Sequence, residues 1–443
     1  MSATTRWIMI VILLVAGIGF YSVSRYKPAK TQPPQSASSQ PAAYAGVDPS
    51  KVQVTALGTE PGTISRIKFT PDGQFMIASQ LTGEVLVYKR EGDSWKKQSK
   101  PLVSVATAFP GFPPEENGLT GMAFGADFAT SGDMFFSYAY LQGEKDIRNR
   151  IARAKVVVEN GELVGSNLTD IFEGNVPADS SHQIQAIQGV MVQDKPHVLF
   201  QMGEGFHAER SQDPTKEAGK LMLIQRDGSN PLGPRPFPDQ PKIQAIGFRN
   251  PPDLEINQFD PLKREAIVDT GPDQYDRFIY GKFIDLVGGK KVEGLDLGWN
   301  GTVDSLTASR FDPNVTGRPD PILYRWDPTH TATNIVFHPG KGIIPESTDQ
   351  QTSVLVSLFG RTGETGPDVP GRAIWLNTLT LGDSPKLGTW QPFIVRSPDG
   401  VNTFGHPLAL ELDPVTNDLV FIDINLTKDQ SPQSTLYWAK ISE

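Results

Sequence analysis

Apolar positions along this chain fall into short runs rather than long stripes. After residue 50 no extended window keeps an apolar residue every three or four positions, as an amphipathic helix requires. Short strand-favouring runs are instead cut repeatedly by Gly, Pro, Asp and Asn. One unit recurs: an apolar run, a turn, and a second apolar run. It reads RIKFTPDGQFMIAS at 66–79, GMAFGADFATSGDMFFSY at 121–138, GVMVQDKPHVLFQMG at 189–203 and DLEINQFDPLKREAIVDTG at 253–271. A fifth copy is divided into NIVFHPG (334–340) and SVLVSLFG (353–360) by an insertion, and a sixth is LALELDPVTNDLVFID (408–423). The turns have a mechanism. In Pro71-Asp72-Gly73 the proline fixes φ and the glycine accepts positive φ; Pro261, Pro339 and Pro414 sit in comparable places.

Six hairpins spaced roughly 55 to 80 residues apart suit four-stranded blades repeated around a central channel. A single sheet cannot bury both of its faces alone, so neighbouring blades must stack. The pattern therefore predicts an all-β fold, a six-bladed β-propeller over residues 48–443. A pair of β-sandwiches is the rival architecture. In a propeller, ligands bind at one mouth of the channel, on loops from several blades, so the chemistry is expected to be dispersed along the sequence.

The N-terminus departs from this pattern. Trp7–Val23 is an uncharged run of seventeen residues, barely long enough for a hydrocarbon core. Arg6 precedes it, and Arg25, Lys27 and Lys30 follow. No small-x-small cleavage site closes the run, which favours an uncleaved transmembrane signal-anchor over residues 1–27 rather than a cleaved signal peptide. Residues 28–47, rich in Pro, Ser, Gln and Ala, read as a disordered spacer. Cations on both flanks leave orientation weakly set by charge. A single anchor followed by a spacer points to an exported body, held on the extracytoplasmic, periplasmic or outer side of a membrane.

Charge and composition then narrow the partners. The formal net charge is -9, and residues 1–30 carry four bases and no acid, so the body is strongly acidic. That argues against nucleic acid and allows a neutral sugar, a bound cation or a small cofactor held by local charges. The chain has no cysteine, which excludes disulfides, thiolate metal sites, iron–sulfur clusters and cysteine nucleophiles. No phosphate-binding glycine loop and no G-x-S-x-G elbow is present. The six histidines (182, 197, 207, 330, 338 and 406) lack zinc-ligand spacing.

Several segments carry a family resemblance. GLTGMAFGADFATSGDMFFSYAY (118–140), GKLMLIQRDGSNP (219–231), IQAIGFRNPPDLEIN (243–257), DTGPDQYDRF (269–278), DLGWN (296–300) and YRWDP (324–328) resemble blocks of the glucose/sorbosone dehydrogenase family. These are the soluble quinoprotein sugar dehydrogenases that use pyrroloquinoline quinone. The likeness runs over most of the body, and its Arg-Asn-Pro and Gly-Pro segments are the most specific. It implies a six-bladed propeller that oxidises an aldose at the anomeric hydroxyl, with hydride passing to the quinone and on to an external electron acceptor. Imidazole suits the general-base role because it titrates near neutral pH, and the redox chemistry belongs to the cofactor.

By this resemblance His182, after Asp179-Ser180-Ser181, stands where the family places its catalytic base. Arg249 and Asn250 match a cofactor-binding pair, and a guanidinium fork suits a carboxylate-bearing planar group. The alternative is an arginine tying a loop to backbone carbonyls. Gly271, Pro272 and Asp276, with Asp273 nearby, match a calcium-binding turn; the alternative is a turn with solvated acids. Tyr324 and Trp326 are expected on opposite sides of an extended segment, one of them facing sugar or quinone; blade packing is the alternative.

The departures from the family pattern bear on the cofactor. Its late G-R-P-R-D block is Gly405-His406-Pro407-Leu408-Ala409 here, so two arginines are missing and His406 is the remaining cofactor donor. Its lysine near the fifth blade falls where only Arg361 is basic, and its turn histidine is Thr270. Each charged hydrogen bond contributes roughly 1.5–3 kcal/mol. Losing two weakens a trianionic cofactor by about a hundredfold or more. A non-catalytic propeller that binds a glycan, peptide or protein at the channel mouth is therefore the second functional reading. A calcium-dependent lactonase is a third, without further support in the sequence.

Overall fold

The computed structural model describes residues 50–443 apart from 108–115, 143–145, 178–180, 234, 235, 238, 287–293, 308–318, 361–371, 396–404 and 427–430. The anchor and spacer expected over 1–47 lie outside the described residues, and so does Arg361. Among the described residues no helix is long and apolar enough to cross a membrane.

Strand β1 (Val52–Pro61) does not pair with the strands that follow it. The first sheet is β2 (Ile64–Phe69), β3 (Phe75–Gln80), β4 (Val85–Glu91) and β5 (Ser94–Lys97). The second is β6 (Leu119–Phe124), β7 (Asp133–Gln142), β8 (Asp146–Glu159) and β9 (Glu162–Glu173). The third is β10 (Ile184–Val192), β11 (Lys195–Met202), β12 (Lys220–Gln225) and β13 (Ile243–Ile246). The fourth begins with β14 (Asp253–Ile256), β15 (Glu265–Asp269) and β16 (Asp276–Gly281). Strand β17 (Leu295–Asp296) crosses back to pair in parallel with β13, and β18 (Ile322–Trp326) completes the fourth sheet. The fifth holds β19 (Ala332–His338), β20 (Gln351–Leu358), β21 (Ala373–Thr380), β22 (Lys386–Leu387) and β23 (Gln391–Ile394). The last holds β24 (His406–Leu412), β25 (Leu419–Leu426) and β26 (Pro432–Ile441), and β1 returns to pair along β26 from Val52↔Ile441 to Pro61↔Gln433.

These six sheets are the blades of a β-propeller. The first strand of each sheet lies innermost, each inner strand packs beside the next, and β24 meets β2 to close the ring. Every recurring hairpin of the sequence supplies the two inner strands of one blade. The N-terminal strand that closes the ring has no hairpin partner nearby in sequence and carries no such signature.

Six clusters of buried apolar side chains sit between successive blades. Phe75, Val87, Met122 and Phe136 lie between blades 1 and 2; Leu199, Leu221, Leu254 and Ile267 between blades 3 and 4; Ile67, Met76, Val420 and Trp438 between blades 6 and 1. Alternate residues of a strand face opposite neighbours, so both faces of a blade are apolar. Each fully buried Leu, Ile or Phe contributes about 1.5–3 kcal/mol.

Five inner strands change register near their N-terminal ends. The shifts fall at Ile64/Arg66, Leu119/Gly121, Ile184/Ile187, Ala332/Asn334 and Pro407/Leu410. Such bulges increase twist and re-aim side chains. The channel below them is polar. Lys68 Nζ lies 2.6 Å from Glu411 Oε2, and Gln188 donates to Glu255 Oε2 at 2.8 Å. Lys68 and Glu411 each keep about a fifth of their side-chain exposure. Burial, with Glu411 and Asp253 close by, pushes the Glu255 carboxyl up to about 8, although Lys68 opposes the shift.

Candidate active site

Antiparallel pairing fixes which loops meet. The residues before an inner strand and those after the second strand of the same blade lie at one end of the channel. Glu116 and Asn117 precede β6, Ser181 and His182 precede β10, and Arg249 and Asn250 precede β14. Gly203–Phe206 follow β11, and Thr270–Tyr275 follow β15. Residues more than a hundred positions apart therefore share one mouth.

His182 sits in a walled niche there, 4% exposed, with a left-handed backbone (φ 59). Its Nδ1 lies 3.2 Å from Glu204 Oε1. The second oxygen of Glu204 accepts a hydrogen bond from Trp299 Nε1 at 2.7 Å, and the Glu204 backbone N–H donates to Arg249 O at 2.8 Å. A carboxylate only accepts, so it places the imidazole hydrogen on Nδ1 and leaves Nε2 as the basic nitrogen. Gly203 lies against the histidine backbone: a Cβ there would come within 2.6 Å of His182 O. The Phe206 ring covers the imidazole at a centroid distance of 4.3 Å.

Glu116 forms the other side of the niche. Its Oε2 accepts from Ser181 Oγ (2.6 Å), Gln185 Nε2 (2.9 Å), Asn250 Nδ2 (3.0 Å) and the His182 backbone N–H (3.4 Å). Packing around the carboxyl raises its pKa, but the His182 ring and the hydrogen bonds from Ser181 and Asn250 outweigh that and hold it below its ordinary value. Asn250 also accepts from Gln185 at 3.1 Å, so blades 2, 3 and 4 are joined through one carboxylate.

Arg249 is half-buried. Its Nη1 donates to Thr270 O (2.8 Å) and Gly271 O (3.1 Å), and its guanidinium lies 5.9 Å from the centroid of the Trp299 ring. Beneath it, the Asp269 carboxylate accepts from the backbone N–H of Asn250 at 2.8 Å and is paired with the fully buried Arg277. This ion pair, within DTGPDQYDR, holds the Arg-Asn segment against the following turn.

The expected calcium turn is internally satisfied. Asp276 is 0% exposed, and its oxygens accept from Gly271 N (2.9 Å), His330 N (2.8 Å), Ala332 N (3.4 Å) and Thr329 Oγ1. The Thr270 and Gly271 carbonyls face the Arg249 guanidinium, whose positive charge opposes a cation at the same place. Pro272 is half-buried and Asp273 is exposed on the turn. Among the described residues no group of three or more His, Asp or Glu side chains is arranged to hold a metal. Calcium does not fit this turn.

Two further expectations change. Tyr324 and Trp326 lie on β18, the outermost strand of blade 4, away from the channel. Residues two apart in a strand share a face, and the two rings are 5.1 Å apart, both against Trp390 between blades 4 and 5. They are packing residues, not opposed ones, and neither faces a ligand at the mouth. His406 is at the mouth, but its ring stacks on Phe359 at 4.3 Å and its Nδ1 bonds the Phe359 carbonyl at 2.9 Å. Burial lowers its pKa, and nearby Arg372 lowers it further; with Nδ1–H donating to the Phe359 carbonyl, a neutral ring has only an acceptor, Nε2, left for a ligand. Leu408 packs against the apolar cluster between blades 6 and 1.

The sequence profile of the glucose / sorbosone dehydrogenase family matches residues 62–280. The chain is a distant member of the glucose/sorbosone dehydrogenase family. Solved structures agree on the fold. A putative oxidoreductase (glucose dehydrogenase) from Thermus thermophilus is 17% identical, with TM-score 0.63 over 88% of this chain and 99% of its own. The apo-form of a soluble aldose sugar dehydrogenase from Escherichia coli is 16% identical, with TM-score 0.61 over 88% and 99%. The PQQ-bound form of an aldose sugar dehydrogenase from Streptomyces coelicolor is 19% identical, with TM-score 0.58 over the same shares. Comparison with curated protein sequences returns no match.

Carboxylates are prominent in the described part of the mouth. Around His182 the described residues place two carboxylates, Glu116 and Glu204, with the Arg249 guanidinium; Arg66 lies near Glu116, but it is buried and donates to the Ser65, Gln185 and Pro252 carbonyls. A tricarboxylate quinone needs the reverse balance. The described residues thus do not fit it firmly. Sequence reasoning missed Glu116, Glu204, Phe206, Asp269, Arg277 and Trp299. The hairpin at 189–203, just before Glu204, and DLGWN were visible as segments, but nothing in their spacing shows that Glu204 and Trp299 meet.

Proposed function

We propose that this chain is an aldose-oxidising member of its family in which His182 takes the proton of the sugar's anomeric hydroxyl. The observation that carries this is the chain of contacts from His182 Nδ1 to Glu204 and from Glu204 to Trp299. It orients the ring, fixes its tautomer and leaves Nε2 to accept a proton, which is what a general base requires. Asn250 and Gln185 stand beside it as neutral hydrogen-bonding groups, suited to a polyol. The hydride that leaves the same carbon needs an acceptor, and the family resemblance supplies a quinone. The described mouth offers few free cations to hold that group. The expectation is activity that needs a large excess of quinone.

The test is dye reduction by the protein with added pyrroloquinoline quinone and a panel of aldoses. Aldose-dependent reduction that falls about a hundredfold or more in His182→Ala supports the reading, by the usual worth of a general base. No aldose-dependent reduction at any quinone concentration overturns it. Full activity in the variant removes His182 from the role.

A second reading, ligand binding without turnover, is favoured by Glu116, which takes the donors of Ser181, Gln185 and Asn250 for itself. It gives sugar binding by calorimetry that neither quinone nor His182→Ala alters. The hydrophobic run Trp7–Val23 and the spacer after it support a further proposal, that the propeller is tethered to a membrane on its extracytoplasmic side. Recovery of the full chain from the soluble fraction without detergent would overturn that.

A further inference from the structure

Of the described walls of the niche around His182, one differs from the others. Gly203 lies against the histidine backbone, and Glu204 holds the Nδ1 edge. Both belong to packed backbone and a hydrogen-bonded network, so neither moves without breaking it. Glu116 bounds the backbone side, and the remaining wall is Phe206. It is 53% exposed, one of few large apolar side chains so placed, while the imidazole it covers is 4% exposed. The rings lie 4.3 Å apart and are tilted by 39°. Gly205 and Phe206 are both left-handed, with φ of 63 and 58. That conformation is ordinary for glycine but unusual for a bulky side chain. The turn therefore holds an aromatic ring in water, over a basic nitrogen, at a backbone cost that simple surface packing does not explain.

A general base must come within hydrogen-bond reach of its substrate. With Phe206 as it stands, His182 is screened from solvent. Among the described residues packed on the imidazole Phe206 is the exposed one, and rotation of its side chain would uncover the ring without disturbing Glu204 or Gly203. We propose that Phe206 is a positioning residue that gates His182, opened by a ligand with a flat carbon–hydrogen face such as an aldopyranose. The sugar packs its apolar face on the aromatic ring while its hydroxyl reaches Nε2. An aromatic face offers large apolar area with little loss of side-chain freedom, which suits this task. The second half of the proposal rests on the reading of His182 as the base for a sugar hydroxyl; the gate itself does not.

The experiment separates the two. Diethylpyrocarbonate modification of His182 is followed by peptide mass in the full chain, with neither sugar nor quinone present. In the wild-type protein His182 is expected to react far more slowly than His207, whose side chain is 44% exposed. In Phe206→Ala and Phe206→Leu it is expected to react at least about tenfold faster than in the wild type, and Phe206→Trp is expected to restore the slow rate. Unchanged His182 reactivity in both truncations, in protein that melts as the wild type does, overturns the gate. The ligand half is read from Phe206→Trp emission, as a difference from wild type, on addition of glucose or other aldoses. A sugar-dependent shift supports it, and no shift with any aldose overturns it. Absence of dehydrogenase turnover leaves both measurements interpretable.

Discussion

Blades 3 and 4 present their mouth loops at the same topological position, between the second and third strands, yet the two loops do opposite things with their carboxylates. In blade 3, Glu204 holds a histidine and a tryptophan and leaves the basic nitrogen of the imidazole unassigned. In blade 4, Asp276 is saturated by three backbone N–H groups and a threonine hydroxyl. The propeller supplies position to both. What the carboxylate bonds to decides whether it can serve chemistry: one that organises backbone has no lone pair left for a ligand.

Replacing each acid in turn is the sharpest way to break this comparison. Asp276→Ala leaves three buried N–H groups without an acceptor, each costing about 1–3 kcal/mol. We expect a loss of roughly 3 kcal/mol or more in urea unfolding. Glu204→Ala is expected to cost less stability but to remove turnover. A larger stability loss at Glu204 than at Asp276 would erase the distinction. A milder change is Trp299→Phe, which deletes one hydrogen bond to Glu204. We expect roughly a tenfold or greater fall in kcat, from about 1.5–3 kcal/mol for a bond to a charged group, with the urea midpoint much less affected.

Glu116→Gln tests the acidic balance of the mouth. Removing one negative charge close to the site is worth about 1–2 kcal/mol at an intermediate dielectric. Quinone affinity by calorimetry is expected to rise about tenfold, and neutral-sugar affinity to stay within a few-fold. Unchanged quinone affinity would show that Glu116 does not set the balance.

A separate test concerns the channel below the mouth. Burial raises the folded-state pKa of Glu255 to about 8, against an ordinary value of 4.5. Between these values the folded state binds more protons than the unfolded state, so stability falls as pH rises from about 4.5 to about 8. Below that window both states are protonated, and above it both are ionised. Glu255→Gln is expected to flatten this slope in melting temperature measured from about pH 5 to about pH 8. An unaltered slope would remove Glu255 as its source.

The sequence made some of this legible. Repeated hairpins are local objects: each apolar run pairs with its neighbour across a short turn, so 66–79 and 408–423 declare themselves within a few residues. The closing strand Val52–Pro61 does not, because its partner lies at the other end of the chain. The site divides the same way. His182, Arg249 and Asn250 stand out because family-like segments surround them. Tyr324 and Trp326 misled because an aromatic pair reads alike whether it lines a mouth or fills a gap between blades.

By itself the sequence determined the all-β class, six repeats, the acidic body, the absence of cysteine chemistry and the membership of a sugar-dehydrogenase family. Tertiary structure decided which groups meet. Glu116 reaches Asn250 across 134 positions and Trp299 reaches Glu204 across 95, distances over which no periodicity carries information. It also decided which groups are left over for chemistry, since a carboxylate at 276 and one at 204 look equivalent until their hydrogen bonds are filled. The reason is physical: a side chain's reactivity is set by its desolvation and its partners, and ring closure of the propeller chooses both.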